Sequence, residues 1–178
     1  MKRFADAGRK AVADQNWYAA LSLALTIPDI CGSLEDPGPG KSEKRYVRWC
    51  RQWLEPKVTG GPPGYEKVFL SAEDCYQLRN SLIHSGSVEI AQKRRVVLDR
   101  MEFFESGSHL NWVEGMVVNG EKQPNFLQMR ADLFSETMFV AAEEWDASVA
   151  DNSQIQSEKA RLLVIHPLGT TIGGVKFG

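Results

Sequence analysis

The stretch "LSAEDCYQLRNSLIHSG", Leu70 to Gly86, constrains the fold more than any other part of this chain. Ser71 followed three residues later by Asp74 fits a capping box, which satisfies amides at the start of a helix. Leu70 and Cys75 stand where a hydrophobic staple closes over that first turn, and Gly86 suits the residue that stops a helix. Between these signals Cys75, Leu78 and Leu82 form one stripe, so the helix has a side to bury. Its last turns also carry Arg79, Asn80 and His84, none of them a natural core residue. Such a cluster is either a solvated helix end or a site.

Other helices flank this one. Residues 1 to about 33 read as helical, broken around "ADQN", where Asp14 or Asn16 can cap a second segment. In that segment Trp17, Leu21, Ala24, Leu25 and Pro28 recur at helical spacing, and Ala20 and Leu23 widen the face. Lys2 and Arg3 ahead of the apolar run "WYAALSLALTI" mimic a secretory signal. Asp6, Arg9, Lys10 and Asp14 intervene, however, and no small-residue cleavage site follows. The run is too short to span a bilayer and reads as a buried helix face, so no membrane association is expected. "GSLEDPGPGK" breaks the chain as a loop. Residues 41 to 55, "KSEKRYVRWCRQWLE", then form a helix with Tyr46, Trp49, Cys50 and Trp53 on one side. Lys41, Lys44, Arg45, Arg48 and Arg51 occupy the other, and Pro56 ends it. "VTGGPPGYEK" is a further loop.

Beyond Gly86 the pattern changes. "KRRVVLDRMEFFES" has period-2 stretches, with Val96, Val97, Met101 and Phe103 among polar residues, which predicts a strand. "VEGMVVNGEKQPNFLQM" predicts two strands around the turn "NGEKQPN". From about Ala131 the helical period returns, with Leu133, Phe134, Met138, Val140, Ala141 and Trp145 directed inward. From about residue 151 a loose tail is expected, with a short strand at Leu162 to Ile165 and a glycine-rich end.

The length of 178 residues suits one domain with a real core. With 43% hydrophobic and 25% charged residues, the composition is that of a soluble globular protein. A net charge of −2 argues against holding nucleic acid by bulk electrostatics, though not against a local basic strip. Cys31, Cys50 and Cys75 are odd in number and form no CxxC pair, so neither a zinc framework nor a disulfide scaffold is expected. Reduced, buried thiols in a cytoplasmic protein fit better. His109 and His166 lack an acidic or cysteine partner at ligand spacing, which leaves no metal site or cofactor to expect. Glu143 and Glu144 are neighbours on a helix and diverge.

The pattern Arg79-Asn80-x-x-x-His84 resembles the Arg-x4-to-6-His motif of the HEPN family (higher eukaryotes and prokaryotes nucleotide-binding domains). The resemblance covers roughly residues 15 to 86 and the helix near 131 to 150. It implies a mainly α (α+β) fold: a single HEPN-like helical bundle with a β-hairpin or small antiparallel sheet inserted at about 96–130. It also implies a homodimer in which both motifs face a shared cleft. Catalytic members are metal-independent endoribonucleases, frequently toxins or defence components. An RNA substrate and an antitoxin or regulatory protein would therefore be the partners.

The chemistry is consistent with that family. Cutting RNA without a metal needs a base for the 2′-hydroxyl, an acid for the leaving oxygen and a cation for the phosphate. His84 can serve as acid or base near neutral pH, and Arg79 offers a forked donor suited to phosphate oxygens. Asn80 would orient His84 or touch the substrate. The strip Lys41, Lys44, Arg45, Arg48 and Arg51 could track an RNA backbone, whereas a solvated charged face is its plainer reading. The alternative for the whole protein is a non-catalytic helical dimer of the same fold that binds or scaffolds. In that case Arg79 and His84 form ordinary salt bridges at a helix end.

Overall fold

The computed structural model describes residues 1–85 and 100–178, with His84, Ser85 and Arg100 described by backbone alone. Helix α1 (Lys2–Ala13) ends in a turn in which Gln15 takes a positive φ of 56°. The side chain of Asn16 then accepts the amide of Ala19 at 3.2 Å and starts α2 (Trp17–Glu35). Of the two capping candidates, Asn16 is the one used. Helix α2 buries Ala20, Leu21, Ala24, Leu25, Ile27, Pro28, Cys31, Gly32 and Leu34. It is the one helix among the described residues long and apolar enough to cross a membrane, and half of that stretch is buried by the rest of the fold.

Helix α2 continues three residues beyond Gly32, so the loop expected from that glycine shrinks to the residues after Glu35. Gly32 is not a breaker here but a contact point. A Cβ on it would lie 3.0 Å from Arg45 Cβ and 3.1 Å from the Arg45 carbonyl, so α3 (Ser42–Trp53) approaches α2 backbone to backbone. Tyr46, Trp49 and Cys50 of α3 are fully buried, and the Tyr46 hydroxyl donates to the Leu25 carbonyl at 3.1 Å. After a 3₁₀ turn (Glu55–Lys57), the expected loop carries a two-stranded hairpin, β1 (Thr59–Gly60) with β2 (Lys67–Val68).

Helix α4 (Ala72–Ser85) begins as its sequence requires. The Asp74 amide donates to Ser71 Oγ at 3.1 Å, and the Ser71 hydroxyl donates to Asp74 Oδ2 at 2.7 Å. Leu70 and Cys75 are both fully buried behind that turn. The expected stop at Gly86, and the strand residues Val96 and Val97, lie outside the described residues.

The β region is α+β in character but is not the antiparallel sheet that was expected. Strands β3 (Arg100–Phe104), β4 (Asn111–Val113) and β7 (Phe126–Arg130) form one sheet in the order β3-β7-β4. β3 runs parallel to β7, with Met101 opposite Leu127, and β4 runs antiparallel to it. Between β4 and β7 stands a separate hairpin, β5 (Val117–Val118) and β6 (Glu121–Lys122). More than twenty residues therefore separate β3 from β7, enough for the crossover a parallel pair needs. The "NGEKQPN" turn is also tighter than expected. Asn119 and Gly120, at φ 52° and 84°, make a two-residue turn alone, and Glu121 already belongs to the returning strand.

β7 runs straight into α5 (Ala131–Ser148), which buries Phe134, Met138, Phe139, Ala141 and Trp145 against α1 and α2. Leu133, expected inside, is exposed, and Val140 is only half-buried; Phe139 takes the inward place instead. Arg9 clamps α1 to α5 through Glu136 (Nε–Oε2, 3.0 Å) and Glu143 (Nη1–Oε1, 2.6 Å). The tail does not begin loosely. Asn152 caps α6 (Ser153–Ala160) by accepting the Ile155 amide at 3.1 Å. No strand forms at Leu162 to Ile165, and a small hairpin of β8 (Thr171–Ile172) and β9 (Val175–Lys176) follows.

The α1–α5 contact yields a test. A Cβ at Gly8 would fall 2.6 Å from Phe139 Cε1, inside a fully buried ring. Gly8→Ala should therefore lower unfolding stability by about 1–2 kcal/mol in urea, because overpacking outweighs the roughly 1 kcal/mol gain in helix propensity. An unchanged or raised midpoint would contradict this packing.

Candidate functional site

The predicted polar cluster sits where α4 crosses the exposed flank of α2. Arg79 Nε donates to Asp29 Oδ2 at 2.7 Å, and the two side chains are only 20% and 22% exposed. Arg79 Nη1 donates to the side-chain oxygen of Asn80 at 3.0 Å. The second oxygen of Asp29 accepts from Ser42 Oγ at 3.3 Å, so Asp29 joins α2, the start of α3 and the end of α4. Nη2 of Arg79 makes no hydrogen bond to another described residue. Two of the three guanidinium nitrogens thus fix the plane of the group, and the third remains for a ligand.

Asn80 does not act as the sequence suggested. Its oxygen is committed to Arg79, which makes it a positioning group for the cation. Tyr76, one turn before Asn80, is half-buried with its ring 5.3 Å from that of Tyr46. Ile83 is exposed beside them. The backbone of His84 lies in the last turn of α4, while its side chain lies outside the described residues.

Asp29 is the residue that sequence reasoning missed. A signal existed: it is the only charged side chain between Trp17 and Leu34. A lone carboxylate on an apolar helix has to find a cation, and no motif pointed to which one.

The basic strip serves the chain itself. Lys41 pairs with Asp36 at 3.0 Å, and Arg48 reaches Glu35 at 3.5 Å and Asp36 at 3.8 Å. Arg51 pairs with Glu73. Arg45 Nη1 donates to the carbonyls of Asp36 and Gly38 at 2.9 and 2.7 Å, tying down the loop after α2. Lys41 beside Asp36 holds that carboxyl below the usual carboxylate range. Lys44 is the one member without an ion pair among the described residues.

Among the described residues no group of three or more His, Cys, Asp or Glu side chains is placed to hold a metal ion. Cys31, Cys50 and Cys75 are free and fully buried, and burial pushes the Cys31 and Cys50 thiols up. Glu143 and Glu144 diverge, to Arg9 and to Lys57 respectively. His109 is structural: its Nδ1 accepts the Arg130 amide at 3.0 Å, at the junction of β7 and α5. No protein-family model matches this chain, and neither the curated proteins nor the solved structures include a match.

The His109 contact makes stability depend on pH. Burial lowers its pKa below the ordinary 6.5, although Asp132 opposes that shift, because the folded chain needs the neutral ring with a free Nδ1 lone pair. Its contribution is complete above pH 6.5 and is lost as pH falls through the lowered folded value. Asp132, held low by its bond to Arg130, stays charged in that window. His109→Asn should therefore flatten the stability profile below pH 6.5 in denaturant titrations. An unchanged slope would rule out His109 as its source.

Proposed function

We propose that this chain is a metal-independent endoribonuclease of the HEPN type, working as a symmetric dimer across α4. The observation that carries the reading is the constrained guanidinium of Arg79, held by Asp29 and Asn80 with Nη2 uncommitted. A fixed, partly desolvated arginine suits a crowded phosphate better than a mobile one, because its fork is oriented before the substrate arrives. In the dimer the two Arg79 groups face one phosphodiester, and the two copies of His84 divide the proton transfers. One removes the 2′-hydroxyl proton, the 2′-oxygen attacks phosphorus, and the other protonates the departing 5′-oxygen. The products are a 2′,3′-cyclic phosphate and a free 5′-hydroxyl. Ile83 and the half-buried Tyr76 supply apolar area for packing of a second copy beside the cluster.

The five-residue basic strip has no assigned part in RNA contact, since four of its members already have partners within the chain. Three free thiols suit a reducing, cytoplasmic setting. The toxin or defence role, and an antitoxin or regulator that would accompany it, rest on the family resemblance alone. One observation favours a silent binding dimer instead: Arg79 is already paired with a carboxylate, so a phosphate has to share it.

Purified protein incubated with mixed RNA in chelator should cleave it. His84→Ala and Arg79→Ala should each reduce the rate by about a hundredfold or more, with their melting temperatures compared to control for folding. Cleavage that survives both substitutions would remove this mechanism. Cleavage absent from every sample would favour the binding dimer.

A further inference from the structure

Residues 163–178 leave the body of the protein as an arm. Leu162 at its root packs on the core, and nothing beyond it does. Leu163, Ile165 and Leu168 are 77%, 90% and 90% exposed, and Val164, Ile172, Val175 and Phe177 are exposed as well. These seven side chains leave about 800 Å² open, the area one partner contributes to a specific interface. A lone exposed leucine needs no explanation, but a contiguous patch of this size does.

From Leu163 to His166 the backbone is extended, and its amides and carbonyls make no backbone hydrogen bond to another described residue. The arm is ordered only at its far end, where the Gly169 amide donates to the Phe177 carbonyl at 2.6 Å. A short apolar strand with both hydrogen-bonding edges open is a template for another strand.

We propose that this arm is an interface with a second copy of the same chain, the two extended segments pairing antiparallel across a two-fold axis. Two identical strands meeting in this way each present donors to the other's acceptors, so one segment is its own complement. Charge permits the encounter. His166 and Lys176 are the only ionisable side chains in the arm, so a second copy brings no block of like charge against the first. The same scarcity of cations argues against an anionic lipid surface, which binds polybasic segments. The area also suits a dimer, because two reciprocal arms together reach the roughly 1,600 Å² of a standard interface.

The test uses the full chain, with tagged and untagged copies mixed. A photoreactive benzoylphenylalanine in place of Ile165 should join the two copies covalently, with the cross-link mapping to residues 163–178 of the other chain. The double variant I165D and L168D should weaken self-association by about tenfold or more in sedimentation equilibrium, as expected for two buried apolar side chains. A cross-link confined to its own chain, a chain monomeric throughout, or a dimer indifferent to the double variant would each overturn the pairing. Labelling of phosphatidylserine vesicles in place of a second copy would overturn it in favour of a membrane surface. The association proposed across α4 leaves the arm untouched, so its survival in the double variant separates the two interfaces.

Discussion

An apolar helix of 19 residues that carries a single charge before its last turn sets the terms of this fold. Water cannot be left on most of its surface, so α1, α3, α4 and α5 gather around α2 and bury its small and aliphatic side chains. Small residues let them come close. Gly32 brings the backbone of α3 against α2, and Gly8 makes room on α1 for the Phe139 ring. The one charge, Asp29, then has to be answered at the flank where the cover is thinnest. Arg79 answers it from α4 and Ser42 from α3. The hydrophobic requirement of α2 and the placement of the candidate cation are in this sense one problem with one solution.

That solution has consequences for chemistry. Using Nε for Asp29 and Nη1 for Asn80 leaves the outer nitrogen of the guanidinium as the free donor. Its neighbourhood is not broadly basic, because Glu35, Asp36 and Glu73 compensate the cations of α3. A phosphate attracted here meets one local, oriented charge rather than a positive surface, which agrees with a net charge of −2. Recognition of this kind depends on geometry more than on long-range attraction, so it should tolerate salt better than a lysine-lined groove would.

The helices were legible because their signals are local. Ser71 and Asp74, Asn16, and the stripe of Tyr46, Trp49 and Cys50 declare their ends and faces within a few residues. The β region was legible only as strands. Which of them pair, and the parallel run of β3 along β7, follow from contacts more than twenty residues apart that no short window contains. The tail misled because an apolar run reads the same whether it is a paired strand or an unpaired arm. At the site, Arg79 and Asn80 were found by pattern, but their true relation was not. Asp29 lies fifty residues away from Arg79, and the wheel of α4 says nothing about a carboxylate on another helix.

The claim at the centre of this account is that Arg79 is pre-oriented by Asp29 and receives phosphate through its outer nitrogens. Arginine side-chain ¹⁵N–¹H spectra, recorded while an uncleavable 2′-deoxy-substituted RNA is titrated in, test it directly. The account predicts that the Arg79 Nη signals shift with saturation while the Nε–H signal, held by Asp29, stays in place. Arg79 signals that ignore the RNA altogether, or an Nε–H that moves away from Asp29 as the RNA binds, would contradict it.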